Sequence, residues 1–385
     1  MFHVIRNASK VYSQVDNEKL FSQDTYDFLA LLVALIGVLG LCTNSLVLIL
    51  YCRFKTLRTP TNLLLVNLSF SDFVFSIFGV SFIFASCVSR QWIWDKEVCV
   101  FVGLCENLLG CVSVFTLTVV AYERYLRVVF DKVVDFPWSW KAITFIWLCS
   151  MAWSTLPLME WNRYILEPHG LDCSLDRVSI ETSQSSFILL SSLACFVAPL
   201  SIMIYCYGYI LYSIRMLRKL QSVETSQVLR LLHYEVKVAI MCLLMISAFL
   251  LCWMPYTVLS FLAMSGHVDM ITPATAIVPC FLVKTGAATN AIIYILTSKK
   301  FRQGLTKLLW MKCLKNHIIF TRRRKLVEVD VGFNKDGKKL KKRVRYTSSS
   351  FSSVITTGQT DTQQLVEETQ DNYAPNVKII HVQPL

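Results

Sequence analysis

The sequence predicts an all-α membrane protein: a seven-transmembrane helix bundle with a short amphipathic cytoplasmic helix after the seventh span. Three observations predict it. Hydrophobic residues make up 54% of the 385 positions and charged residues only 17%, too few to solvate the surface of a water-soluble chain this long. Nearly uncharged runs of spanning length recur at 28–52, 60–87, 99–122, 138–159, 187–214, 238–264 and 270–298. Lysine and arginine are crowded into alternate connecting segments, the pattern that orients membrane chains.

The first loop carries Arg53, Lys55 and Arg58, and the third carries Arg124, Arg127, Lys132 and Lys141. The fifth holds Arg215, Arg218, Lys219, Arg230 and Lys237, whereas the intervening loops hold only Arg90, Lys96, Arg163 and Arg177. This places the N-terminus outside and the tail in the cytoplasm. The chain then divides into an extracellular N-terminus (1–26), the bundle (27–298), an amphipathic helix "KKFRQGLTKLLW" within 299–313, and a tail (314–385). The tail is basic and then rich in serine and threonine, "TSSSFSSVITTGQTDT", and reads as disordered. Most of the net charge of +12 lies after Ser298, in runs such as "RRRK" and "KKLKKRVR". Beside a membrane such runs are attracted to anionic lipid, and a nucleic-acid partner is not expected. Asn7 opens a glycosylation sequon, and Cys313 is a candidate palmitoyl anchor or a plain free thiol. Most of the fourteen cysteines fall within spans. Cys99 and Cys173 lie at outer positions, so one bridge tying the second outer loop to the third span is expected. No metal site is expected.

In the cores of the seven runs, away from end residues such as Lys141, only Asp72, Glu106 and Lys284 are formally charged. Each costs about 2.5–3.5 kcal/mol at a span centre, so each needs a partner or a function. Asp72, in "NLSFSD", has Asn44 and Asn290 as candidate polar neighbours, a set suited to binding sodium, ordering water or simply satisfying itself. Lys284 is the more specific case. A neutral buried amine attacks an aldehyde to give an imine, and a protonated imine requires a carboxylate nearby. A structural ion pair is the competing reading.

The surrounding motifs are "ERY" (123–125), "CWMPY" (252–256) and "NAIIY" (290–294), with Trp147, Pro199 and the Cys99–Cys173 pair. Together they resemble the rhodopsin-like family of G-protein-coupled receptors, and a lysine six residues before "NAIIY" is similar to the retinal attachment site of opsins. "SWKAITFIWL", "WNRYILEPHGLDC" and "CYGYILYSIRMLR" are most similar to the encephalopsin and multiple-tissue branch, over roughly residues 27–310.

The resemblance implies a light-sensing receptor, not an enzyme, with 11-cis-retinal on Lys284 as a protonated Schiff base, converted to all-trans on illumination. Its usual helix-3 counterion position is Val102 here. Glu167, six residues before Cys173, is therefore expected as the main counterion and Glu106 as the second. Trp253, Tyr256, Phe196 and Gly110 are expected to line the chromophore. For the G-protein switch the resemblance implies Glu123 and Arg124 with Glu235 as lock, and Tyr207, Asn290 and Tyr294 as its movable partners. Ala291 stands where the family has proline. Implied partners are a heterotrimeric G protein, of inhibitory type by family expectation, and a receptor kinase and arrestin on the tail. Two alternatives stay open, a retinal photoisomerase and a receptor for a diffusible ligand. Oligomeric state, wavelength and tissue are not legible.

Overall fold

The computed structural model describes residues 20–177, 182–220, 226–310, 329–333 and 339–342; side chains at 217–235, 238, 239, 268 and beyond 310 lie outside that description. Its described residues contain seven helices long and apolar enough to cross a membrane. They are α1 (Gln23–Arg53), α2 (Pro60–Ser89), α3 (Lys96–Phe130), α4 (Phe136–Thr155), α5 (Thr182 to Leu220), α6 (Ser226–Met264) and α7 (Pro273–Thr297). A further helix, α8, covers residues 299–310. The fold class is as the sequence predicts.

Local chemistry sets the helix starts. Ser22, Thr59, Asp95, Asp135 and Thr272 each accept a hydrogen bond from a backbone N–H of the first turn, satisfying donors the helix cannot. Proline follows at the first or second helical position of α2, α4 and α7, where its missing N–H costs nothing. α3 and α6 overrun the expected spans by two to three turns at the end carrying the basic loops. A helix satisfies its own backbone in water as well as in lipid, so charge marks the membrane boundary and not the helix end.

α5 changes winding in its middle: a π turn at Leu193–Val197 separates Thr182–Ser192 from Ala198–Leu220. Pro199, just beyond it, has no N–H to donate and its ring crowds the preceding turn, which widens in response. α7 contains Pro279 but runs unbroken through Ala291 and Tyr294.

Polar side chains join the helices. Asn67 donates to Thr116 on α3 (2.9 Å) and accepts from Trp147 on α4 (2.9 Å). Asn44 on α1 donates to the Ala287 carbonyl on α7 (2.9 Å). Outward faces are apolar instead, with Phe145, Leu148 and Leu251 well exposed, as a lipid-facing surface requires. α8 is amphipathic: Phe301 and Gly304 are buried, and Phe301 packs 4.2 Å from the Tyr294 ring.

Between α4 and α5 a two-stranded hairpin forms, β1 (Tyr164–Leu166) against β2 (Cys173–Leu175), with Leu166 opposite Cys173. The Cys99–Cys173 disulfide ties it to the first turn of α3, as expected. Separately, in the tail, β3 (Val329–Phe333) pairs antiparallel with β4 (Lys339–Lys342). Asn7, Cys313 and the Glu235 side chain lie outside the described residues.

Candidate functional site: a buried lysine beneath a tethered hairpin

Lys284 is 1% exposed, and its Nζ meets two carboxylates. One is Glu106 on α3, in direct contact through Oε1. The other is Asp172, whose Oδ2 lies 2.7 Å away. Gly79 on α2 makes room for the first, since a β-carbon there would fall 2.6 Å from Glu106 Oε1. The Phe75 ring sits 5.2 Å from Nζ, presenting its negative face to the ammonium. Losing one partner of such a buried pair costs about 3–5 kcal/mol, because the other charge stays behind.

Asp172 comes from the hairpin. Its Oδ1 accepts from the Cys173 N–H (2.9 Å), its carbonyl accepts from the Glu167 N–H (2.8 Å), and Cys280 Sγ approaches Oδ2 at 3.3 Å. Gly170 takes a positive φ of 70° in the connecting turn, a conformation glycine adopts without strain. Sequence reasoning missed Asp172; the available signal was its place beside a cysteine that the disulfide anchors over α3.

Glu167, the expected main counterion, makes other contacts. Its Oε1 accepts from the Tyr256 hydroxyl on α6 (2.5 Å) and from Ser174 Oγ. The Arg177 guanidinium lies 3.5 Å from the Tyr256 ring centre, so Tyr256 is clasped by the hairpin and does not simply line a cavity. The order expected from the sequence is therefore not the order of contact, because chain spacing does not say which way a turn points its side chains. Burial pushes the Arg177 guanidinium down to about 10, against the opposing pull of Glu167. Burial also lowers the His169 imidazole below its ordinary value; that ring is fully buried, with Nδ1 accepting from the Leu171 N–H (3.2 Å).

Below Lys284 lies an aromatic row: Phe196 in the π turn, Phe249 and Trp253 on α6, with ring separations of 6.5 and 5.8 Å. Gly110 faces the Trp253 ring, where a β-carbon would stand 2.6 Å from Cη2. Phe249 was not singled out from sequence, though it lies one helical turn from Trp253. A small cavity continues from Gly110 and Trp253 to Asp72, Ser113 and Asn290. Asp72 accepts from Ser113 Oγ (2.9 Å) and Asn290 Nδ2 (3.1 Å). Asn44, grouped with Asp72 from sequence, bonds to α7 backbone instead.

At the opposite end of the bundle, Arg124 Nε donates to Glu123 Oε2 (2.5 Å) and Nη2 donates to Thr61 Oγ1 on α2 (2.6 Å). Thr61 in turn donates to Glu123 Oε1 (2.8 Å). Tyr207 and Tyr294 are both buried.

Residues 43–294 match the 7 transmembrane receptor (rhodopsin family). Opsin-3 from Mus musculus is 45% identical over 371 residues, covering 95% of this chain and 92% of its own. Human melanopsin is 33% identical over 72% of this chain, which spans 61% of the melanopsin. Among solved structures, squid rhodopsin superposes with a TM-score of 0.71 at 28% identity, covering 76% of this chain and 87% of its own. With its seven helices, its buried lysine on the seventh and these relatives, the chain belongs to the rhodopsin family of seven-transmembrane receptors, in its opsin branch.

Proposed function

We propose that this protein is a non-visual light receptor carrying retinal on Lys284, with the hairpin end outside the cell and the Arg124 end in the cytoplasm. The observation that carries this reading is a fully buried primary amine held against the Glu106 carboxylate, beside an aromatic row. Retinal supplies an aldehyde for condensation with an amine and a polyene that changes shape from 11-cis to all-trans on absorbing light. The residues present fit it: Lys284 offers the nucleophile and Glu106 a negative charge for a cationic nitrogen. Phe196, Phe249 and Trp253 offer flat apolar contact, and the missing side chain of Gly110 leaves space.

The chain's own task is to turn a changed contact at Trp253 into movement of α6. A ligand shifts a conformational equilibrium only through different contacts in the two states, and Trp253 on α6 lies one turn from Phe249, next to Pro255. At the far end, release of Arg124 from Glu123 and Thr61 opens a groove for a helix of a heterotrimeric G protein. Tyr207 and Tyr294, both buried, are the residues proposed to restack there, with Glu235 as the proposed lock partner on α6. Inhibitory-type coupling and kinase and arrestin binding to the tail are the family's expectations.

The test is expression with 11-cis-retinal, spectra before and after illumination, and nucleotide exchange on a purified G protein, with Lys284→Ala alongside. A visible band that responds to light, drives exchange and vanishes in Lys284→Ala is the expected result. Colourless native protein, or colour that survives the substitution, overturns the proposal. Retinal turnover without nucleotide exchange would make the protein an isomerase.

A further inference from the structure

We infer that Asp172 is the hairpin carboxylate that balances charge at the Lys284 nitrogen, and that Glu167 instead ties the hairpin to α6. The inference rests on the reading of Lys284 as the retinal-bearing lysine.

Geometry separates the two acids. Asp172 Oδ2 lies 2.7 Å from Lys284 Nζ, with its side chain 4% exposed. Its other oxygen is held by the Cys173 N–H, so the carboxylate cannot swing away without breaking a backbone contact next to the disulfide. Glu167 is occupied elsewhere, since two hydroxyls, from Tyr256 and Ser174, donate to its Oε1. Coulomb attraction falls with distance and is strongest where water is excluded. A carboxylate in hydrogen-bond contact with a buried nitrogen therefore governs that nitrogen's protonation more than one engaged by neutral donors on another helix. The nitrogen thus has one acid from α3 and one from the hairpin. The other titratable groups around this cluster are Cys87 on α2, Cys105 on α3, Cys280 on α7, and Glu167, His169 and Arg177 from the hairpin segment.

Glu167 then has a mechanical role. Its bond to Tyr256 joins the hairpin to α6 one residue beyond Pro255, and Arg177 covers the same ring.

The test is an alkaline titration of the dark pigment made with 11-cis-retinal, following loss of the visible band, in native protein, Asp172→Asn and Glu167→Gln. The expected result is that Asp172→Asn lowers the midpoint by at least about one pH unit, a tenfold change in proton concentration, and more than Glu167→Gln does. A smaller shift, or a larger one in Glu167→Gln, overturns the inference. Should Asp172→Asn fail to regenerate, Asp172→Glu decides. It keeps the charge but moves it by one methylene, so a displaced absorption maximum supports the inference and an unchanged one overturns it. A native protein without a visible band would defeat the parent reading, whereas a normal native pigment with an indifferent Asp172 would defeat this inference alone.

Discussion

Gly110 shows how little room the site has. With a β-carbon 2.6 Å from Trp253 Cη2, the indole must move, since real contacts are never that short. Gly110→Ala is expected to cost about 1–3 kcal/mol through overpacking, read as a lower melting temperature, and to displace the pigment's absorption maximum. His169 makes a second residue-scale prediction. Its folded pKa lies below the ordinary 6.5, so the unfolded chain binds the proton first as pH falls. The associated stability is intact above about 6.5 and declines as pH drops toward the folded value. Melting curves at several pH values should show that decline, and His169→Gln should flatten it. At this scale the sequence was informative for Lys284 and Glu106, where a charge stands out within a span, while Gly110 followed from the resemblance alone. It was silent on the contacts of Glu167 and Asp172, which depend on the turn at Gly170 and on the disulfide.

Among the elements, α7 carries an instructive substitution at Ala291. Proline there would remove the N–H that serves the Ala287 carbonyl, ordinarily a loss of about 3 kcal/mol in a helix interior. That carbonyl already accepts from Asn44 Nδ2 at 2.9 Å. Ala291→Pro is therefore expected to cost less than about 3 kcal/mol by thermal unfolding, and considerably more when combined with Asn44→Ala. If the proline bend helps α7 switch, light-driven nucleotide exchange rises in Ala291→Pro; unchanged exchange would mean the unbent helix suffices. The hairpin depends on its tether. Closing 74 residues of chain separation, the Cys99–Cys173 bridge should contribute about 2–4 kcal/mol, measurable as a lower melting temperature in Cys99→Ser. Helix existence was legible because uncharged runs of this length have few alternatives. Helix ends were not, because α3 and α6 continue past the uncharged runs through segments that mix charged and apolar residues.

Across the whole bundle, the Glu167–Tyr256 bond links the hairpin end to the helix proposed to move at the Arg124 end. A hydrogen bond to a charged group contributes about 1.5–3 kcal/mol, so its loss in Tyr256→Phe should shift the α6 equilibrium about tenfold or more. Nucleotide exchange in darkness is the measurement, and exchange at the native level would show that the link does not restrain α6. Seven spans and their orientation signals were readable from hydropathy and charge alone. Which helices exchange polar contacts was not, because Asn67, Asn44 and Asp72 find partners 41 to 243 positions away, a separation no local pattern reports.

The widened turn in α5 has a bearing on engineering. Each residue advances a helix by about 100°, so one surplus position turns everything that follows by that angle. Were 193–197 to wind as ordinary α-helix with every residue kept, Met203, Tyr207 and Ile210, all now buried, would rotate away from the core, whereas deleting one residue there would restore ordinary winding and leave them facing inward. Phe187 and Ile188 would keep their bearings. The two halves of this helix are thus keyed to different neighbours, and the irregular turn is the coupling that lets both be right at once.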